Sequence, residues 1–158
     1  MAIDLNSVLL LFVLSLLPTF EGRYAVIVGI KLFDPYIAIF IASIANIVLS
    51  IVLANAMPLL DKVFYLFTQY RSQVLKTIGE LYFRYLNSVR RRAKPYIERY
   101  GVLGLIIFVA IPLPATGIWT GAIAAYILGF TKRNALISLI IGGMLSVAIT
   151  SIATLLIP

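Results

Sequence analysis

Two segments of this 158-residue sequence, residues 35–57 and 134–157, are long and apolar enough to cross a lipid bilayer, and neither contains a charged residue. A helix rises about 1.5 Å per residue, so about 20 apolar residues cross the hydrocarbon core. The mean hydropathy is +1.06 and 62% of the residues are hydrophobic, which is more apolar surface than a soluble domain of this size can bury. The sequence therefore predicts an all-α integral membrane protein of the cell membrane.

Four further apolar segments are too short to cross the bilayer. They have about ten to thirteen residues each and comprise residues 7–17, 24–33, 102–113 and 118–130. Pro18 separates the first two segments, and Pro114 separates the last two. A short segment that enters a bilayer and cannot cross it must turn back. Each pair is therefore predicted to form a re-entrant helical hairpin that is followed by one transmembrane helix.

The two halves of the sequence repeat each other at a shift of 96 residues. The shift aligns five identical residues within a ten-residue window: Leu9, Phe12, Val13, Leu17 and Pro18 with Leu105, Phe108, Val109, Leu113 and Pro114. Small or polar residues at every fourth position of the two long segments also align, and this spacing lets membrane helices approach closely. Because one crossing separates the halves, their hairpins face opposite ways. This predicts an inverted repeat of residues 5–57 and 100–158 within a single membrane domain, residues 1–158.

A basic segment, residues 59–94, lies between the repeats and contains eight of the thirteen Lys and Arg residues. Its apolar residues follow three- and four-residue steps, which predicts one amphipathic helix that Pro95 ends. Positive charge beside apolar segments indicates a cytoplasmic location, with both termini outside. Either this helix lies on the membrane surface and binds anionic headgroups, or it is a linker that packs on the membrane domain or on a second copy. The residues expected to bind headgroups are Arg90, Arg91 and Arg92.

The sequence contains no cysteine and no histidine. This composition excludes disulfides, thiolate nucleophiles, His-ligated zinc and Ser–His hydrolysis. We therefore expect no enzyme activity, no cofactor and no metal. The net charge of +7 does not indicate nucleic acid as a partner, because the basic residues cluster beside apolar segments. Membrane lipids are the expected partners.

The turn of the first predicted hairpin contains two ionisable residues, Glu21 and Arg23, together with Pro18 and Thr19. Charged side chains at membrane depth are costly and rare, and they mark functional sites by default. Glu21 is predicted to carry a proton and Arg23 to contact an anionic group of the substrate, helped by free N–H groups of the unwound backbone. The alternative is a structural ion pair. Asn46, near the middle of its segment, is expected to bond to a neighbouring helix or to face this site.

The turn of the second predicted hairpin carries no charge. Pro112 and Pro114 leave carbonyl groups without helical partners, and the hydroxyls of Thr116 and Thr120 can satisfy these groups or meet a substrate. Gly117 begins a series of small residues that is typical of close helix packing. Trp119 either lines the substrate path or contacts lipid. The sequence predicts that these residues form one site with those of the first hairpin.

The residues of both turns resemble a known family. Residues 112–122, PLPATGIWTGA, resemble the PLPGTGAWTGA motif of the small multidrug export proteins, with Ala115 in place of a glycine. Residues 21–23, Glu-Gly-Arg, resemble the E-x-R-G segment of that family. The family is distantly related to the DedA/VTT (SNARE-associated) membrane proteins, and the resemblance covers nearly the whole chain. It implies two inverted re-entrant hairpins with flanking helices.

The resemblance also implies transport. Members of the DedA group are associated with proton-coupled flipping of polyprenyl-phosphate carriers, and their eukaryotic relatives with phospholipid scrambling. The first hypothesis is therefore a flippase or transporter of an anionic, phosphate-bearing lipid or small amphiphile, coupled to protons. The second is an efflux transporter for cationic drugs, with Glu21 as the counter-charge. The third is a non-transporting membrane scaffold that forms a homodimer through its small-residue faces.

Overall fold

The computed structural model describes residues 4–18, 20–114 and 116–156. Within these ranges the fold is all-helical, with seven helices and no strand. The helices are α1 (Leu5–Leu16), α2 (Glu21–Leu32), α3 (Pro35–Gln69), α4 (Gln73–Tyr100), α5 (Val102–Ala110), α6 (Ile118–Ile127) and α7 (Lys132–Leu156). The predicted all-α class is confirmed.

The centre of the fold is the pair of long helices α3 and α7. Both are apolar and long enough to cross a membrane, as the two long sequence segments predict. They pack against each other, and both pack against α2. The small and polar residues at every fourth position are buried between helices: Ala42, Asn46 and Ser50 on α3, and Ser138, Gly142, Ser146 and Thr150 on α7.

The four remaining apolar segments are short helices. α1 and α2 have 12 residues each, α5 has 9 and α6 has 10. Residues 17–20, which we call the first break, separate α1 from α2, and residues 111–117, the second break, separate α5 from α6. Prolines lie in both breaks because a proline lacks the N–H group that would continue the helix.

The central segment differs from the prediction. α3 continues through Pro58 to Gln69, and α4 begins at Gln73 and continues through Pro95 to Tyr100. The prediction of one helix over residues 59–94, ended by Pro95, is therefore wrong. Packing outweighs the cost of the prolines: the rings of Phe64 and Tyr82 stack with centroids 4.1 Å apart, which holds the end of α3 against the start of α4.

The end of α4 depends on a glycine. Ala93 and Ile97, on either side of Pro95, are buried, so their packing retains the helix beyond the proline. Gly101 ends it with a φ of 56°, a left-handed conformation that glycine adopts without strain, and its N–H donates to the carbonyl of Ile97 at 2.7 Å. The chain then returns as α5, which packs against α4.

Helix α4 packs its apolar face on α3, α5 and α6. Leu86, Val89, Ala93 and Ile97 are buried in this face, whereas Arg90, Arg91 and Arg92 are exposed. The basic segment is therefore part of the helical bundle and carries its charges on the outside.

The contact between α4 and α5 requires a small residue at position 104. A Cβ atom on Gly104 would clash with the backbone carbonyl of Tyr96, which a rotamer change cannot relieve. We expect Gly104→Ala to lower the free energy of unfolding by about 1–3 kcal/mol because the two helices must separate. Leu103→Ala is the control, since Leu103 is 64% exposed. Thermal unfolding in detergent micelles measures both, and equal melting temperatures would contradict the packing described.

Candidate functional site

The two breaks lie against each other, and the side chain of Glu21 connects them. Glu21 is the first residue of α2 and has a φ of 49°, which is unusual for a residue other than glycine. Its carboxylate accepts hydrogen bonds from the backbone N–H groups of Ile118 and Trp119, both at 3.1 Å. These groups belong to the first turn of α6, where an acidic side chain is favourable because the N–H groups lack helical partners. Glu21, at the start of α2, therefore caps the N-terminus of α6.

Arg23 performs the complementary task at the end of α5. Its guanidinium donates to the carbonyls of Leu113 and Ile111 at 3.1 and 3.5 Å, to the hydroxyl of Thr116 at 3.1 Å and to the carbonyl of Thr116. The prolines of the second break deprive this stretch of helical hydrogen bonds, so the carbonyls need donors from elsewhere. Nε of Arg23 lies 3.5 Å from Oε2 of Glu21, and both side chains are nearly fully buried.

Trp119 makes a corresponding contact in the other direction. Its indole Nε1 donates to the carbonyl of Leu16, the last residue of α1, at 3.2 Å. At the 96-residue shift of the sequence repeat, Trp119 is the counterpart of Arg23. Carbonyls at the end of α1 thus receive a donor from α6, and carbonyls that follow α5 receive a donor from α2.

Gly117 lies directly against the charged pair of Glu21 and Arg23. Its φ of 110° suits glycine alone, and a Cβ atom there would overlap Oε2 of Glu21 and lie 2.8 Å from a terminal nitrogen of Arg23. At the repeat shift Gly117 is the counterpart of Glu21. The absence of a side chain at position 117 therefore makes room for the charged pair.

Asn46 joins the first turn of α2 to both long helices. From α3 it accepts a hydrogen bond from the N–H of Gly22 and donates one to the carbonyl of Gly143 on α7, both at 3.1 Å. It thus bonds across to neighbouring helices, one of the two expectations for this residue. It does not line the cavity between the breaks.

A cavity of about 440 Å³ lies between the breaks. Five of the predicted site residues line it: Pro18, Glu21, Arg23, Pro114 and Thr116. Pro112, Gly117 and Trp119 lie beside it without lining it, and Thr19 lies outside the described residues. Thr120, whose hydroxyl was expected to satisfy backbone carbonyls or meet a substrate, also lines it. The remaining lining residues, which the sequence did not predict, are Tyr24 and Tyr85.

Tyr24 and Tyr85 supply the aromatic part of the wall. The Tyr24 ring lies under the guanidinium of Arg23, with 5.0 Å between the guanidinium carbon and the ring centroid. The position of Tyr24 directly after Arg23 was the one feature of the sequence that could have assigned this tyrosine to the site. Tyr85 belongs to α4, which the sequence placed in the cytoplasm, so no sequence pattern connected it with the breaks. Partial burial raises the pKa of the Tyr85 hydroxyl, which keeps this phenol neutral near neutral pH.

The three consecutive arginines of α4, Arg90, Arg91 and Arg92, occupy different surroundings. Arg92 lines a second cavity beside the second break, and it shares this cavity with Tyr96. Arg90 and Arg91 are exposed and line neither cavity. The predicted headgroup cluster is therefore divided between two sides of the helix.

The bridge made by Asn46 can be tested against a second amide on the same helix. Asn46→Leu leaves the N–H of Gly22 without an acceptor, so we expect a loss of about 1–3 kcal/mol in the free energy of unfolding. Asn55→Leu is the control, because Asn55 is exposed and donates only to the carbonyl of Ile51 in its own helix. Thermal unfolding in micelles compares them. A loss at Asn55 as large as that at Asn46 would contradict the bridging role.

The chain was compared with known proteins. No curated protein and no solved structure matches it. The family model described as "Putative small multi-drug export protein" matches residues 21–149, a range that begins at Glu21 and includes the second break. This match and the apolar helices indicate a membrane location. Because the match covers most of the sequence, the chain belongs to the small multi-drug export protein family.

Proposed function

We propose that this protein is a membrane transporter that exports small amphiphilic molecules, and that its substrate binds in the cavity between the two breaks. The description of the family supports export. The observation that carries the proposal is the cavity itself, whose wall combines a buried charged pair, two tyrosines and two threonine hydroxyls. Apolar walls with a few placed polar groups are typical of small-molecule sites.

The size of the cavity favours a small molecule over a lipid. Sites for drug-sized ligands have volumes of roughly 300–1,000 Å³, and about 440 Å³ lies in the lower part of that range. The flipping of an anionic, phosphate-bearing lipid has weaker support. Arg23, the residue expected to contact the phosphate, directs its terminal nitrogens at the carbonyls and hydroxyl of the second break. A phosphate would have to displace these partners.

The proposal includes the architecture expected from the sequence. The pairs α1–α2 and α5–α6 are re-entrant hairpins that enter the membrane from opposite sides and meet at their breaks, as an inverted repeat. Their lengths of 9 to 12 residues support this, since about 20 residues are needed to cross. The reciprocal contacts of Arg23 and Trp119, which are equivalent at the repeat shift, support it independently.

The contacts of Glu21 support coupling of transport to protons. The ionised carboxylate accepts from two N–H groups of α6 and faces the guanidinium of Arg23. A proton on this carboxylate removes its charge and one acceptor site, so it weakens the connection between the breaks. Protonation from one side and release to the other then alternates the bonded and the separated arrangement. The cavity of the bonded arrangement holds the substrate, and separation of the breaks releases it.

Transport by Glu21→Gln tests this role. In proteoliposomes with an imposed pH gradient, we expect the wild type to move a lipophilic cation such as ethidium and Glu21→Gln to lose gradient-driven transport, because glutamine cannot exchange a proton. Glu80→Gln is the control, since Glu80 lies on α4 in a surface ion pair with Arg84. Unchanged transport by Glu21→Gln would remove this residue from the mechanism. If the wild type moves neither ethidium nor an anionic amphiphile, the result contradicts transport and favours the non-transporting scaffold.

The orientation of the hairpins is testable because the sequence contains no cysteine. Single cysteines at Asn6, in the first turn of α1, and at Tyr36, in the first turn of α3, mark the two ends of the first hairpin. Both should react with an impermeant maleimide from the same side of sealed vesicles. Cysteines at Arg99 and Arg133, which flank α5 and α6, should react from the other side. Positions 6 and 36 on opposite sides would mean that α1 and α2 cross the bilayer, which contradicts re-entrant hairpins.

A further inference from the structure

A second cavity, of about 260 Å³, lies between α4 and the second break. Arg92 and Tyr96 of α4 supply its polar side. Phe108, Ile111 and Leu113 supply an apolar wall. A single cation beside an apolar wall is complementary to a molecule with an anionic head and a hydrocarbon tail.

The flank of α4 that contains this cavity is apolar in its N-terminal half and carries Arg92 in its C-terminal half. Steps of seven and four residues place Tyr85, Arg92 and Tyr96 on one side of the helix. The same side continues toward the N-terminus of α4 with three exposed apolar residues: Val74, Ile78 and Leu81, which are 68%, 40% and 54% exposed. A helix with such an apolar flank and basic residues beside it is typical of the membrane interface. This composition fits a flank that is covered by lipid.

We infer that this cavity binds an anionic phospholipid of the surrounding leaflet, with the headgroup phosphate on Arg92 and an acyl chain along Ile111 and Leu113. The charge of Arg92 is available for this ligand. In the described ranges, the ion pairs join Glu21 with Arg23, Glu80 with Arg84 and Glu98 with Lys94. Arg92 donates a hydrogen bond to the uncharged hydroxyl of Ser88 at 2.8 Å, which leaves its positive charge without an ionic partner there.

The inference separates Arg92 from its neighbours. Adjacent residues of a helix point about 100° apart, so Arg91 is directed away from the flank that contains the cavity, and it does not line the cavity. Arg91 attracts anionic lipids only through the general field of the basic helix, whereas Arg92 offers a hydrogen-bonded site with an apolar wall. This difference supplies a matched control.

The proposed lipid site adjoins the cavity between the breaks, but it does not depend on the proposed transport. The second cavity shares Pro114 and Thr116 with the cavity between the breaks. Thr116 is also bonded to Arg23. A lipid on Arg92 therefore lies against the residue that the charged pair holds. The lipid site does not require that the central cavity bind a drug.

Native mass spectrometry of the full chain, with added phosphatidylglycerol or phosphatidylcholine, tests the inference. We expect the wild type to retain phosphatidylglycerol preferentially, and Arg92→Gln to weaken that binding by about tenfold, the effect of losing one charge-assisted hydrogen bond. Arg91→Gln removes the same charge and should weaken it by much less. A comparable melting temperature of the two variants in micelles establishes that both are folded.

Three results would overturn the lipid site. Equal losses for Arg91→Gln and Arg92→Gln would mean attraction by the helix as a whole. No preference of the wild type for phosphatidylglycerol would mean that no anionic headgroup is recognised. Displacement of the lipid by inorganic phosphate would mean a site for a free anion. Leu113→Ser, at a residue that is 56% exposed, should also reduce lipid binding, and an unchanged affinity there would remove the apolar wall from the site.

Discussion

The contacts of one buried charged pair with the backbone of the opposite break hold the centre of this molecule. Glu21 accepts from the N–H groups that begin α6, and Arg23 donates to the carbonyls that follow α5. In lipid, backbone groups that leave a helix have no water to bond, so each interruption of a helix needs polar partners from within the protein. The charges therefore compensate for the breaks, and the breaks explain why two charges are tolerated among apolar helices.

This arrangement bears on the choice between a structural and a functional pair. The bonds of Glu21 and Arg23 are those of a structural connection, yet both side chains also line the cavity between the breaks. A connection that depends on an ionised carboxylate is also sensitive to protonation, because the carboxylate is the member that changes charge. The structural interpretation is thus compatible with the proposed mechanism, in which the connection is what the proton controls.

Parts of the fold and the site could be predicted from the sequence. The spans followed from uninterrupted apolar length, and the breaks from Pro18, Pro112 and Pro114, because these signals are local. The continuation of α3 through Pro58 and of α4 through Pro95 could not be predicted, since contacts between distant residues, such as Phe64 and Tyr82, decide it. For the same reason Tyr85 was not assigned to the site. Glu21 was predicted to carry a proton and Arg23 to contact the substrate, with a structural ion pair as the alternative. In the structure the two side chains face each other, and their hydrogen bonds go mainly to backbone groups of the other half.

The bridge formed by Asn46 has a consequence for motion. It attaches the first turn of α2 to α3 and α7 through an uncharged amide, while the attachment of α2 to α6 depends on Glu21. Loss of the carboxylate charge leaves the amide attachment in place. In the proposed mechanism, helix α2 therefore keeps its bond to the two long helices through Asn46, and its attachment to α6 is the one that the charge of Glu21 controls.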